Sequence, residues 1–120
     1  MKDYYQVYIL LIRDHTIPGL NPLEKKSLKI YYMIDINNIH NICKKYKITN
    51  YTINSDGSIN VDGSVYLNDK HLTELPLNFN KVSGYFYIND NFLPNLNNCP
   101  KEVGGDFDCS GNYITSLLRC

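Results

Sequence analysis

Apolar positions between Val61 and Cys120 recur every twenty-one residues without a gap. Val61, Val82 and Val103 share one position of the period, and Gly63, Gly84 and Gly105 share another. Val65, Phe86 and Phe107 follow, then Leu67, Ile88 and Cys109. Further on, Leu72, Leu93 and Ile114 align, as do Leu75, Leu96 and Leu117. A fixed period in the twenties predicts stacked units, each burying its apolar face on its neighbours. Two apolar residues separated by one, such as Phe86 and Ile88, predict a short strand that turns both inward. The later apolar pair of each unit predicts the returning side of a coil. The fold class expected is therefore an α/β solenoid of short coils, with a parallel sheet on one face and an N-terminal helix and hairpin as cap.

Upstream the pattern changes twice. Tyr5, Val7, Ile9 and Leu11 alternate with Gln6, Tyr8 and Leu10, which predicts a strand, and residues 16–19 carry a turn signal at Pro18-Gly19. Asn21, Pro22 and Glu24 then read as a helix start, predicting a short helix over 22–32. A second helix is predicted over 35–47, capped by Asp35, with Ile36, Ile39, Cys43 and Tyr46 on one face. Lys44, Lys45 and Lys47 crowd its last turn, where the helix dipole favours positive charge. This helix is expected to cover the open end of the stack; docking of a partner or membrane is the alternative. Residues 51–54 and 58–61 predict a hairpin turning at Asp56-Gly57.

Three segments result. Residues 1–32 form an N-terminal extension of a strand and a short helix, 33–60 the capping helix and hairpin, and 61–120 three repeats with the last incomplete. Met33 offers an alternative start of translation. Cys120 is the equivalent of Cys99, which Pro100 follows, so the expectation is a chain cut within its array. Otherwise Ile114 and Leu117 stand exposed at an open edge that promotes self-association.

Composition narrows the function classes. Twelve basic and twelve acidic residues leave no net charge and no basic stripe, which argues against nucleic acid as a partner. No apolar run reaches the length of a membrane span, so no membrane partner is expected, and no leader-like cleavage site follows Val7 to Ile12. Without other marks of secretion, the Asn50-Tyr51-Thr52 sequon reads as coincidence, and a cytoplasmic location in the producing or host cell is expected. The absence of Ala beside abundant Ile, Asn, Lys and Tyr matches AT-rich codon usage. Cys43, Cys99, Cys109 and Cys120 make no C-x-x-C pair and have no histidine at ligand spacing. They read as reduced structural thiols, with a disulfide framework or a metal site as the alternatives. His15, His40 and His71 fall in separate segments, and no nucleophile elbow, phosphate loop or zinc-protease motif is present. The chain is accordingly read as no enzyme and as needing no cofactor or metal.

The third unit, with Phe107, Cys109, Asn112, Ile114 and Leu117, resembles the leucine-rich-repeat core L-x-L-x-x-N-x-L-x-x-L. The second unit resembles it through Phe86, Ile88, Asn91, Leu93 and Leu96. The first departs from it, with Lys70 at the asparagine position, which points to a terminal or solvated coil. The short form is similar to repeats in phage, large-virus and bacterial proteins of AT-rich genomes. The resemblance implies that Asn91 and Asn112 form a buried ladder bonding backbone groups of adjacent coils.

Strand alternation sends the intervening residues outward in three columns: Ser64, Tyr85, Asp106; Tyr66, Tyr87, Asp108; and Asn68, Asn89, Ser110. Tyrosine and asparagine give contact area and adaptable hydrogen bonds at low entropic cost. The candidate binding face is therefore Tyr66, Tyr85, Tyr87, Asn89, Asp106 and Asp108, presented to a protein partner. Tyrosine is also a good strand former, so the same residues serve equally as cross-strand pairs that only stabilise a sheet. A cation held by Asp106 and Asp108 is a lesser alternative. The competing function is structural: a spacer or self-assembling repeat stacking through its C-terminal edge.

Overall fold

The computed structural model describes residues 21–115. The strand expected near residues 5–11, the turn at 16–19, Leu117 and Cys120 lie outside that range. One helix, α1 (Pro22–Lys45), precedes seven short strands among the described residues. Its N-cap is Asn21, whose side chain accepts a hydrogen bond from the Glu24 amide at 2.8 Å. Pro22 opens the helix where its missing N–H has no partner to lose. Lys44 and Lys45 occupy the last turn, and the Tyr46 amide closes onto the Ile42 carbonyl. The two helices expected on either side of Met33 are thus one, and Asp35 lies inside it rather than capping it. No Gly or Pro falls between Leu23 and Lys45, and an interior Asp costs only about 0.7 kcal/mol or less of propensity.

The strands are β1 (Tyr51–Ile53), β2 (Ile59–Val61), β3 (Val65–Tyr66), β4 (Phe79–Val82), β5 (Phe86–Tyr87), β6 (Glu102–Val103) and β7 (Phe107–Asp108). The hairpin of β1 and β2 is antiparallel, with Tyr51 opposite Val61, and Gly57 takes φ +85° in its turn. All other pairings are parallel. They build two sheets, one of four strands in the order β1-β2-β4-β6 and one of three in the order β3-β5-β7.

This corrects the expected fold class. In place of an α/β solenoid with a single parallel sheet on one face, the described residues form a small mixed α/β fold with one helix and two mostly parallel sheets. The glycine positions account for much of the difference. Val82 ends β4 and Phe86 begins β5, with Ser83-Gly84 bending the chain between them. The valine and phenylalanine positions of one period therefore join different sheets. Gly84 donates to the Gly63 carbonyl at 2.8 Å, and Gly105 to that of Gly84 at 2.8 Å. A Cβ on Gly84 would stand 2.8 Å from the Gly63 carbonyl, so this backbone contact excludes a side chain. The repeat residues pair with partners twenty-one residues apart, Val65, Phe86 and Phe107 in one sheet and Val61, Val82 and Val103 in the other, whereas Ile59 meets Phe79 twenty residues on, where the register shifts.

The core lies between the two sheets' inward residues. Phe79, Phe86, Leu67, Ile88, Leu93, Val65 and Val82 are fully buried. Phe79 meets Phe86 edge-on at 5.0 Å between centroids, and Phe86 meets Phe107 at 5.6 Å. From α1 only Ile39 and Cys43 are buried, supported by the partly buried Tyr32, Ile36, Ile42 and Tyr46. Its stretch up to Ile34 exposes Leu23, Ile30, Tyr31, Met33 and Ile34.

Candidate functional site

The outward side of β3-β5-β7 carries the residues selected from the sequence. Parallel backbone bonds hold their columns in step: Val65 and Leu67 donate to the Tyr85 and Tyr87 carbonyls, and Phe86 and Ile88 to those of Asp106 and Asp108, all at 2.8–2.9 Å. Tyr66 therefore stands beside Tyr87, and Tyr87 beside Asp108. The Tyr66 and Tyr87 rings meet edge-to-face, 5.5 Å apart and inclined at 63°. Tyr85, the residue before β5, and Tyr87, on β5, stack at 5.6 Å with 8° between their planes. The three rings form one cluster, and Tyr66 and Tyr85 remain 52% and 44% exposed. The Tyr85 amide donates to Ser64 Oγ at 2.9 Å.

The cluster sits in a negative field. The Tyr87 hydroxyl is pushed above its usual pKa, first by partial desolvation, then by Asp106, Tyr85, Tyr66 and Asp108. Asp108 is held below the usual carboxylate range because the Ser110 hydroxyl and amide both donate to its Oδ1, at 2.6 and 3.0 Å. Asp106 is exposed. The ion pair found among the described residues, Lys81–Glu102 at 3.7 Å, belongs to the other sheet, so neither Asp106 nor Asp108 is neutralised by a described cation. Asn89 turns aside to donate to Asp90 Oδ2 at 2.9 Å.

Asn91 and Asn112 lie away from this face. Buried Asn91 accepts from the Lys70 and Leu72 amides, both at 3.0 Å, and donates to the Leu67 and Ile88 carbonyls at 2.9 and 3.0 Å. Half-buried Asn112 accepts from the Leu93 amide and donates to the Ile88 and Cys109 carbonyls. Each side chain thus ties its own turn to the preceding one. Exposed Lys70 contributes its backbone to Asn91.

Three features escaped the reading of the sequence. His71, Phe92 and Tyr113 form a stacked ladder with centroids 5.8 and 6.0 Å apart, Phe92 and Tyr113 being exposed. They share one position of the period, so the same alignment could have found them, although histidine beside two aromatic residues breaks the apolar pattern there. A groove of about 630 Å³ runs between α1 and the adjoining turns, lined by Asp35, Asn38, Ile39, Ile42, Pro76 and Leu77. Its existence depends on how α1 packs, which no local pattern discloses. At the α1–β1 contact, His40 Nδ1 and the Tyr51 hydroxyl lie 2.6 Å apart. The Tyr51 hydroxyl also bonds the Cys43 thiol. Burial raises the thiol's pKa despite that bond, which keeps it protonated and poorly nucleophilic.

Cys43, Cys99 and Cys109 are free thiols. Among the described residues no three His, Cys, Asp or Glu side chains converge as a metal site would require. No helix among them is long and apolar enough to cross a membrane. No protein-family model, curated protein or solved structure matches the chain.

Proposed function

We propose that the chain is a non-catalytic, cytoplasmic protein-interaction module, and that its binding surface is the outward side of β3-β5-β7. The observation that carries this reading is the tyrosine cluster. Three rings pack against one another on strands whose register is held by backbone bonds, yet Tyr66 and Tyr85 stay about half exposed. A preassembled aromatic surface loses little side-chain entropy on binding, which is why aromatic residues dominate binding energy at interfaces. Asn89, Asp106 and Asp108 supply a polar rim.

The test is replacement of Tyr66, Tyr85 and Tyr87 by Ser. Loss of a captured protein partner with unchanged circular dichroism supports the proposal. Undiminished capture by the triple variant sinks it.

A second reading rests on a different observation. Among the described residues β6 and β7 are the outermost strands at one end of the two sheets, and outermost strands leave a row of backbone groups for further pairing. Under this reading the molecule is a spacer that assembles through that edge. Assembly would survive the tyrosine replacements and would be disrupted by a charge at Ile114.

A further inference from the structure

The neutral net charge of the chain conceals a division. Between Pro22 and Lys47 there are six lysines against Glu24 and Asp35. Between Ile48 and Thr115 there are three lysines, Lys70, Lys81 and Lys101, against eight carboxylates. The sheet region is therefore acidic, and its candidate face combines carboxylates with aromatic rings. Asp106 and Asp108 stand one strand away from Tyr85 and Tyr87, at the usual inter-strand spacing of about 4.8 Å, and two strands away from Tyr66. Ring faces attract cations through their quadrupole, and an adjacent carboxylate adds a charge-assisted hydrogen bond.

We propose that the tyrosine face selects a cationic, extended peptide segment, one of whose arginine or lysine side chains lies over Tyr85 and pairs with Asp106 or Asp108 while the segment continues across Tyr66. The inference rests on the reading of this face as the binding surface and adds the chemistry of its partner. Three observations meet here. Half-exposed Tyr66 and Tyr85 offer aromatic surface. Asp106 and Asp108 carry no ion pair with a described residue. Ser110 occupies Oδ1 of Asp108, which holds the carboxylate in place with Oδ2 still to be used. Arginine suits the site best, since its planar guanidinium can stack on a ring and fork onto a carboxylate at once.

The experiment uses a seven-residue peptide alternating serine with three arginines, and a counterpart with glutamine for each arginine. Both are titrated into the full chain while the tyrosine ring resonances are followed by NMR. The arginine peptide should shift Tyr66, Tyr85 and Tyr87 saturably. The glutamine peptide should bind at least roughly tenfold more weakly, as should the arginine peptide on the double variant Asp106→Asn and Asp108→Asn. Both carboxylates are on the surface, and the unliganded spectrum of the variant reports whether it folds. Equal binding of the two peptides, or an unchanged affinity of the double variant, overturns the inference. So do shifts spread over Asp62, Asp69, Asp90 and Glu102 alike. Unmoved tyrosines together with concentration-dependent growth in light scattering overturn it in favour of a second copy as occupant. If the arginine peptide fails while the Tyr→Ser triple variant still loses a captured partner, the cationic assignment falls and the binding face stands.

Discussion

The two sides of the three-stranded sheet obey different rules. Inward, Val65, Phe86 and Ile88 are 0–1% exposed, and every atom removed from them leaves a void. Outward, the neighbouring column passes from Tyr66 through Tyr87 to Asp108. Ring gives way to carboxylate, yet the backbone bonds on both sides of β5 stay at 2.8–2.9 Å. The inner side is constrained by volume. The outer side is constrained only by what strands tolerate and is free to acquire binding chemistry. Two-residue strands make the contrast sharp, because each contributes one residue to each side.

The largest way to test this contrast is Phe86→Ala. It deletes a ring held between Phe79 and Phe107 and should cost about 3–5 kcal/mol, read from the urea midpoint. Next comes Asn91→Ala, which strips partners from the Lys70 and Leu72 amides and the Leu67 and Ile88 carbonyls. A loss of about 3 kcal/mol is expected, larger than that from Asn112→Ala because Asn112 is less buried. Gly84→Ala should cost about 1–3 kcal/mol, since its Cβ would press on the Gly63 carbonyl. Tyr87→Ser should reverse the order of effects, with a loss of at most about 1 kcal/mol in folding and a loss of partner binding.

The smallest effect is one of pH. The bonds from Ser110 depress the native pKa of Asp108, so the unfolded chain binds that proton more readily. The resulting stability is present above the unfolded value of about 3.9 and is lost as pH falls through the lower native value. Asp108→Asn should flatten the acid limb of the stability profile below about pH 4. A variant that loses stability there as steeply as the parent would show that the Ser110 bonds are not coupled to folding.

Much of the local structure was legible. Asn21, Pro22 and Glu24 carry the chemistry of a helix start, and Asp56-Gly57 that of a hairpin turn, because both depend on groups a few residues apart. The helix's continuity through Met33 was not legible, since Asp35 is a good cap and an acceptable interior residue alike. The exposure of Tyr66 and Tyr85 followed from alternation along the strand. The stacking of Tyr85 on Tyr87 and the edge contact of Tyr66 did not, because rotamers answer to neighbours. The His71–Phe92–Tyr113 positions were available in the period, but their stacking was not, since it depends on how successive turns superpose.

By itself the sequence determined the period of twenty-one residues, the inward and outward alternation, and the identity of the residues that share a position. These follow from backbone geometry and the exclusion of apolar groups from water, which act on residues in a fixed order. Only the tertiary structure decided that the valine and phenylalanine positions enter two sheets, that one long helix stands before them, and that Asp106 and Asp108 meet the tyrosines without a neutralising cation among the described residues. Those outcomes depend on how far the backbone bends at the Gly84 and Gly105 contacts and on which charges then lie within reach. Both are set by packing between segments distant in the chain.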